Sequence, residues 1–207
     1  MDAPEHAAEE EELRLLAAAR AGEEQAFAAL VRRHQLGVFR IALRMLGDRA
    51  EAEDVAQDVF VSVFLHLERF EERARFSTWL YRVTINHCHN RLRYLNRRGR
   101  GRHRSIETGA TEPSWLEARS ADAPLGRPPP RPDQAVETRE QAQGLRQALL
   151  TLPEEQRTLL VLRDLEQLSY EEIVAITELP LGTVKSRLHR ARLALAATLQ
   201  RSSEEVR

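Results

Sequence analysis

Apolar side chains recur every three or four positions through most of this chain and almost nowhere alternate. That period matches the 100° step of an α-helix and predicts an all-α protein. Leu13, Leu16 and Ala17 mark a short acidic helix from about Glu9 to Ala19. Phe27, Leu30, Val31, His34, Val38, Ile41, Ala42 and Met45 predict a longer one over Glu23 to Leu46, which Gly47-Asp48 closes while capping the next. His34 on that stripe reads as a core or boundary histidine. Ala52, Val55, Ala56, Val59, Phe60, Val63 and Leu67 predict a third helix from Arg49 to Phe70. Ser77 is a candidate cap for a fourth, running to about Arg98, with Tyr81, Ile85, Cys88, Leu92 and Leu95 on one apolar line.

From Arg97 to Thr138 the period is lost. RRGRGRHR leads through TGATEPS to GRPPPRPDQ, rich in Gly, Pro, Ser and Arg, and this composition predicts a linker whose Pro tract is extended. Trp115-Leu116 is an isolated apolar pair within it. Helical signals resume over Glu140 to Leu150, and Pro153 then opens a helix over Glu154 to Leu165, with Leu152, Leu159, Leu160 and Leu162 as core. The expected architecture is two small helical domains joined by a flexible Arg/Pro-rich linker. Its bounds are an acidic segment 1–22, a helical domain 23–98, the linker 99–138 and a second helical domain 139–201.

The C-terminal stretch LSYEEIVAITELPLGTVKSRLHRARLALAATL carries the sharpest pattern. Ser169 is a good N-cap with Glu172 as its capping-box partner. Ile173, Val174 and Ile176 give the short helix a buried side, and Pro180 ends it. Gly182 or Thr183 starts a second helix that sorts into two faces. Val184, Leu188, Ala191 and Leu195 fall on one side; Lys185, Ser186, His189 and Arg190 lie opposite, with Arg187 and Arg192 flanking. This is a helix-turn-helix whose second helix can enter a major groove. Lys185 and Arg190 can read guanine edges, Ser186 and His189 can donate or accept, and the flanking arginines can meet phosphates.

Two other faces carry candidate chemistry. On the fourth helix, Trp79, Val83, Asn86, Asn90, Arg93 and Arg97 form a line of aromatic, amide and guanidinium groups. An aromatic can stack on a base, amides can bond base edges and arginine can bind phosphate. On the third helix, Glu51, Asp54, Gln57, Asp58 and Ser62 sit beside the apolar stripe. No second carboxylate–histidine cluster completes a metal or acid–base site there, so the choice lies between a solvated acidic face and a docking surface for a basic partner. His87-Cys88-His89 resembles a ligand set, but adjacent helical residues diverge by 100° and no further cysteine exists to close a zinc site.

Composition adds limits. The 207 residues are 42% hydrophobic and 30% charged, a globular balance, and the formal net charge of −1 hides an acidic N-terminal part and arginine clusters in the middle and at the end. Lys185 is the only lysine, so abundant arginine is weak evidence for nucleic acid by itself. One cysteine, Cys88, excludes an intrachain disulfide and points to a reducing compartment. The acidic start MDAPEHAAEEEELRLL lacks the pattern of a signal peptide, and no apolar run reaches the ~18 residues of a membrane span. A cytoplasmic protein is expected.

Together these motifs resemble the extracytoplasmic-function class of bacterial RNA polymerase sigma factors, over nearly the whole chain. AEAEDVAQDVFVSVF looks like the core-polymerase-binding helix of the family's region 2, and RFSTWLYRVTINHCHNRLR like the helix that opens and reads the minus-ten promoter element. LPEEQRTLLVLRDLEQLSYEEIVAITELPLGTVKSRLHRAR looks like region 4, which reads the minus-thirty-five element.

The resemblance implies that Asp54, Gln57, Asp58 and Phe60 dock on core RNA polymerase. It places Arg75, Phe76, Ser77, Thr78, Trp79, Asn86, Asn90, Arg93 and Arg97 against minus-ten DNA, with Arg75 to Thr78 near a flipped base. Thr183, Lys185, Ser186, Arg187, His189, Arg190 and Arg192 face minus-thirty-five DNA. It further implies an anti-sigma factor as a partner, a monomer when free, no cofactor, no metal and no catalytic residue. His87-Cys88-His89 stands where the family usually has small or aliphatic residues, and the linker is longer than the family's. Residue chemistry by itself leaves a rival, a stand-alone helix-turn-helix regulator that binds an operator as a dimer.

Overall fold

The computed structural model describes residues 3–71, 74–99 and 143–205, and every secondary-structure element among them is helical. Most of the predicted linker, with Trp115-Leu116, lies outside the described residues, as do the first residues of the helix expected from Glu140.

Helix α1 spans Ala3–Arg20 and α2 spans Glu24–Leu46. Gly47 ends α2 in the left-handed region at φ 72°, its N–H closing on Leu43 O, and a side chain there would collide with Leu150. Asp48 then caps α3, Arg49–His66, its carboxylate accepting from Glu51 N at 2.9 Å. The third helix is shorter than its apolar pattern suggests. A 3-10 turn over Leu67–Arg69 replaces its last turn and leaves Phe70 extended, and this tightening turns both Leu67 and Phe70 into the core. Helix α4 covers Phe76–Arg97. Arg75 occupies the cap position, so Ser77 sits inside the first turn and is not the cap.

In the C-terminal half, α5 covers 143–151 and α6 covers Glu154–Leu160. The chain continues from α6 through a π-helical turn, Val161–Leu165. Helix α7, Tyr170–Thr177, begins with the expected capping box: Ser169 Oγ accepts from Glu172 N at 3.1 Å and Glu172 accepts from Ser169 N at 2.8 Å. The last helix, α8, runs from Leu181 to Glu205, starting directly after Pro180, one or two residues earlier than the Gly182 or Thr183 the sequence suggests.

The buried face of each helix is the one its period marks. Leu30, Val38, Ile41, Ala42 and Met45 of α2 pack with Val55, Val59 and Val63 of α3 and Leu80, Ile85, Cys88 and Leu92 of α4. Leu159, Leu160, Ile173, Ile176, Val184, Leu188 and Ala191 form the core of the C-terminal half. These two sets are continuous. Helix α4 packs on α7, and α2 touches α6 and the turn after it, so the two halves meet along a seam that the sequence does not announce.

Candidate nucleic-acid interface and docking face

On α8 the two-faced pattern is realised. Val184, Leu188 and Ala191 are buried, while Lys185, Ser186, His189 and Arg190 are exposed. Thr183 is half-buried. The flanking arginines are engaged within the C-terminal half. Arg187 pairs with Glu155, and Arg192 makes a two-pronged pair with Asp164, Nε to Oδ2 at 2.9 Å. The Asp164 hydrogen bonds hold the Arg192 guanidinium above its ordinary pKa. Lys185 lies over the Tyr170 ring, its Nζ 5.5 Å from the centroid, so this cation is aimed along the edge of the face.

Helix α4 divides its predicted residues. Asn86, Asn90, Arg93 and Arg97 are exposed in one line, with Arg93 donating to Asn90 Oδ1 at 2.7 Å. Trp79 is half-buried, tilted against Phe70 and Phe76 with ring centroids 5.5 and 5.9 Å away. Phe76 is only 2% exposed and meets His34 edge-on, and Thr78 is also buried, so those two side chains support the loop from below. Arg75 and Ser77 remain accessible, Arg75 pairing with Glu9 of α1 at 2.7 Å. His34 bonds Glu12 at 2.7 Å. Burial raises the Glu12 carboxyl, but the His34 hydrogen bond, with the charges of His34, Arg33 and Arg75, brings it below its usual value.

The three residues of the His-Cys-His run face three ways. Cys88 is in the core, where burial pushes its thiol up to about 12. His87 is half-buried within reach of the charge of Asp58, and burial lowers its pKa. His89 faces the seam, with Nε2 3.0 Å from Thr158 Oγ1 and 3.4 Å from Glu154 Oε1. Among the described residues no group of three or more His, Cys, Asp or Glu could hold a metal ion.

Helix α3 presents Asp54, Gln57 and Asp58 outward, with Phe60 half-buried against the core. Arg91 of α4 bonds both Glu51 and Asp54, the latter at 2.9 Å, so the acidic face is partly neutralised from within. Its continuation was not singled out from sequence. Val61, Phe64 and Leu65 are 59%, 58% and 68% exposed and extend the stripe 54, 57, 58 by about two more turns. The signal was available, since 61, 64 and 65 continue the same i+3/i+4 spacing on the side away from Val59 and Val63.

The two basic faces are not far apart. His89 and Arg93 of α4, Pro153 to Gln156 at the start of α6, and Arg187 and Arg190 of α8 line one cleft of about 700 Å3.

Two family models match this chain: Sigma-70 region 2 over residues 30–98, and Sigma-70, region 4 over residues 142–195. A curated relative, the ECF RNA polymerase sigma factor SigW of Bacillus subtilis, is 34% identical over 86% of this chain and 91% of its own length. The chain belongs to the extracytoplasmic-function sigma factors. The RNA polymerase sigma-H factor of Pseudomonas aeruginosa is likewise 34% identical, over 93% of this chain and 95% of its own. Among solved structures, CnrH in complex with the cytosolic domain of CnrY aligns with a TM-score of 0.62 at 25% identity, covering 92% of this chain and 97% of that one. The sigma factor RpoE of Bartonella quintana, solved with the anti-sigma factor NepR, shares the fold with a TM-score of 0.61, covering 84% of this chain and 96% of that one.

As a sigma factor the protein directs transcription initiation at promoters, in a family that is not one of enzymes. A stand-alone operator-binding regulator is not favoured, because it has no use for a region 2 half. No helix among the described residues is long and apolar enough to cross a membrane.

Proposed function

We propose that this sigma factor works by binding energy alone, with its three faces divided between polymerase and promoter. The α3 face, Asp54, Gln57 and Asp58 with Phe60 at its edge, docks on core RNA polymerase, and Val61, Phe64 and Leu65 supply the apolar part of the contact. The acidic groups set orientation and rate while the apolar groups supply affinity, the usual division at such an interface.

Helix α8 reads the minus-thirty-five major groove through Lys185, Ser186, His189 and Arg190. Arg187 and Arg192 exchange their carboxylate partners for phosphates, with Thr183 at the groove edge. Helix α4 holds minus-ten phosphates with Arg93 and Arg97, and Asn90 orients Arg93. Asn86, Trp79, Ser77 and Arg75 meet unstacked bases of the displaced strand. Phe76 and Thr78 act beneath them as the floor of the loop. Trapping flipped bases offsets an unpairing cost of a few kcal/mol per base. The domains follow the same division: 23–98 for polymerase and minus-ten DNA, 99–138 as linker, 139–201 for minus-thirty-five DNA.

An anti-sigma factor is a further partner, in keeping with the solved complex of the Bartonella quintana relative. A monomeric chain acting in the cytoplasm without cofactor or metal fits these roles.

The observation that carries the reading is the occurrence in one chain of both matched regions, each with an exposed polar–basic helix, beside an acidic–apolar stripe. The experiment is run-off transcription with core polymerase over a genomic template library. A promoter-specific transcript that requires the added chain is expected, and its absence overturns the proposal.

A further inference from the structure

Tyr170 is the only Phe, Trp or Tyr between positions 143 and 205, and two cations lie over its ring. Lys185 Nζ is 5.5 Å from the ring centroid and the Arg163 guanidinium 4.7 Å. The tyrosine is half-buried against the core, whereas Lys185 is exposed. The ring thus lies where fixed structure gives way to the side of α8 that faces outward.

Local chemistry holds that ring in place. Glu166 N closes on Val161 O at 2.9 Å and Leu168 N on Leu162 O at 3.0 Å, with Gln167 between them in the left-handed region at φ 61°. The capping box of Ser169 and Glu172 then starts α7 with Tyr170 as its first helical residue. Arg163 is tethered as well, its Nη1 donating to Leu168 O at 2.6 Å. Of the three groups at this contact, Lys185 alone keeps its side-chain freedom.

That freedom bears on how a lysine reads DNA. Its ammonium is a compact charge on a flexible four-carbon stem, and a phosphate attracts it as well as a base edge does. A cation that swings to phosphate strengthens binding to every duplex and carries no sequence information. An ammonium held at an aromatic face keeps one direction. Arg163 is like-charged and fixed, so it opposes a deeper approach of Lys185 onto the ring. Arg190, the other cation of this face, meets no ring; its Nε donates to Ser186 O at 3.4 Å within its own helix. Lys185 is also the only lysine among the chain's 31 Lys and Arg residues, so the flexible point charge occurs once, and it occurs beside this ring.

We propose, resting on the major-groove role given to α8 above, that Tyr170 is a positioning residue for promoter recognition. Its ring directs Lys185 at a base edge of the minus-thirty-five element and so sets the preference at that position without touching the base.

The test uses holoenzyme reconstituted from core polymerase and the full chain. It is selected on a promoter from the run-off experiment, randomised over the minus-thirty-five element. Lys185→Ala identifies the position that the lysine reads. Tyr170→Leu is expected to lower discrimination at that same position about two- to fivefold, the range of one exposed cation–π contact, and to leave the position read by Arg190 as sharp as in the parent. Tyr170→Phe keeps the ring and loses only the hydroxyl, so it should read as the parent does. In the Lys185→Ala background, Tyr170→Leu should relax nothing further, the mark of two residues acting through one contact.

Damage to the helix-turn-helix would instead lower binding to all sequences together, and urea unfolding of each variant measures it separately. Undiminished discrimination in Tyr170→Leu, an equal loss in Tyr170→Phe, or a loss spread evenly over every position overturns the positioning role and leaves the α8 face in place. An unchanged preference in Lys185→Ala overturns the assignment of Lys185 to a base edge, and the positioning role falls with it.

Discussion

Leu65 gives the most direct measure of the α3 docking face. It is 68% exposed in the chain, so about two thirds of its side chain remains to be removed from water by a partner. Full burial of a leucine contributes about 1.5–3 kcal/mol, which leaves about 1–2 kcal/mol for the complex. At 1.4 kcal/mol per factor of ten, Leu65→Ser should weaken core polymerase binding roughly 5- to 30-fold. The isolated chain should lose no more than about 0.5 kcal/mol, since an exposed position carries little of the fold. Phe64 is a poorer probe despite similar exposure, because its ring meets Phe27 edge-on at 5.1 Å and truncation would also disturb packing between α2 and α3.

The assay is titration of labelled chain against core polymerase at two salt concentrations, with urea unfolding of the free variant as the stability control. Asp58→Arg is the charged counterpart: it should weaken binding chiefly at low salt, where surface charges are least screened. Asp54→Arg would mix two effects, because Asp54 also accepts from Arg91. A folded Leu65→Ser chain that binds core polymerase within twofold of the parent would refute the docking face.

Arg190→Ala should cost ~1–3 kcal/mol at its promoter site and relax preference at one or two positions in a binding selection, whereas Arg192→Ala should weaken all duplexes alike and lower the salt slope; an unchanged preference in Arg190→Ala would sink the face assignment. Asn86→Ala should leave polymerase association normal but reduce permanganate reactivity of promoter thymines, with recovery on a pre-mismatched template; equal opening on linear duplex would remove Asn86 from the reading helix. Arg157→Met should destabilise the chain by about 3 kcal/mol or more in urea, since it strips the carbonyls of Met45, Leu149, Leu150 and Leu152 of one buried donor, and a loss under about 1 kcal/mol would contradict that role. His87 and His89 are held below their ordinary pKa by burial, so their contribution is full above about pH 6.5 and is lost as pH falls through their folded values; stability of the His89→Gln chain should therefore depend less on pH between about 7 and 5, and an unaltered slope would argue against this linkage.

Helix positions, the capping box at Ser169 and the two faces of α8 were legible in the sequence because each rests on local chemistry. A cap needs residues three apart, and a buried stripe needs a repeat within one helix. Legibility faded where a residue's environment comes from elsewhere. Phe76 and Thr78 look available beside Trp79, yet Phe70 and His34 close over Phe76 from other elements. Val61, Phe64 and Leu65 follow the spacing of the acidic stripe, but their apolar character hides that they lie outside until α2 and α4 are in place. His87, Cys88 and His89 look like one motif, and the helical step alone separates them.

The seam was the least legible feature, and its chemistry accounts for that. Arg40 and Glu166 are 126 positions apart, and no periodicity connects them. In a sequence, Glu166 reads as one more charge in RDLEQL, and its burial appears only when α2 is brought against it. The seam joins a continuous apolar core to a set of charges and single carbonyls, and only that polar part can exchange its partners for water. An interface made only of leucine and valine would offer no such exchange and would fuse the halves into one body. The polar residues at the seam are thus what one expects if the same α4 must lie against the C-terminal half in the free chain and against promoter DNA in the working one.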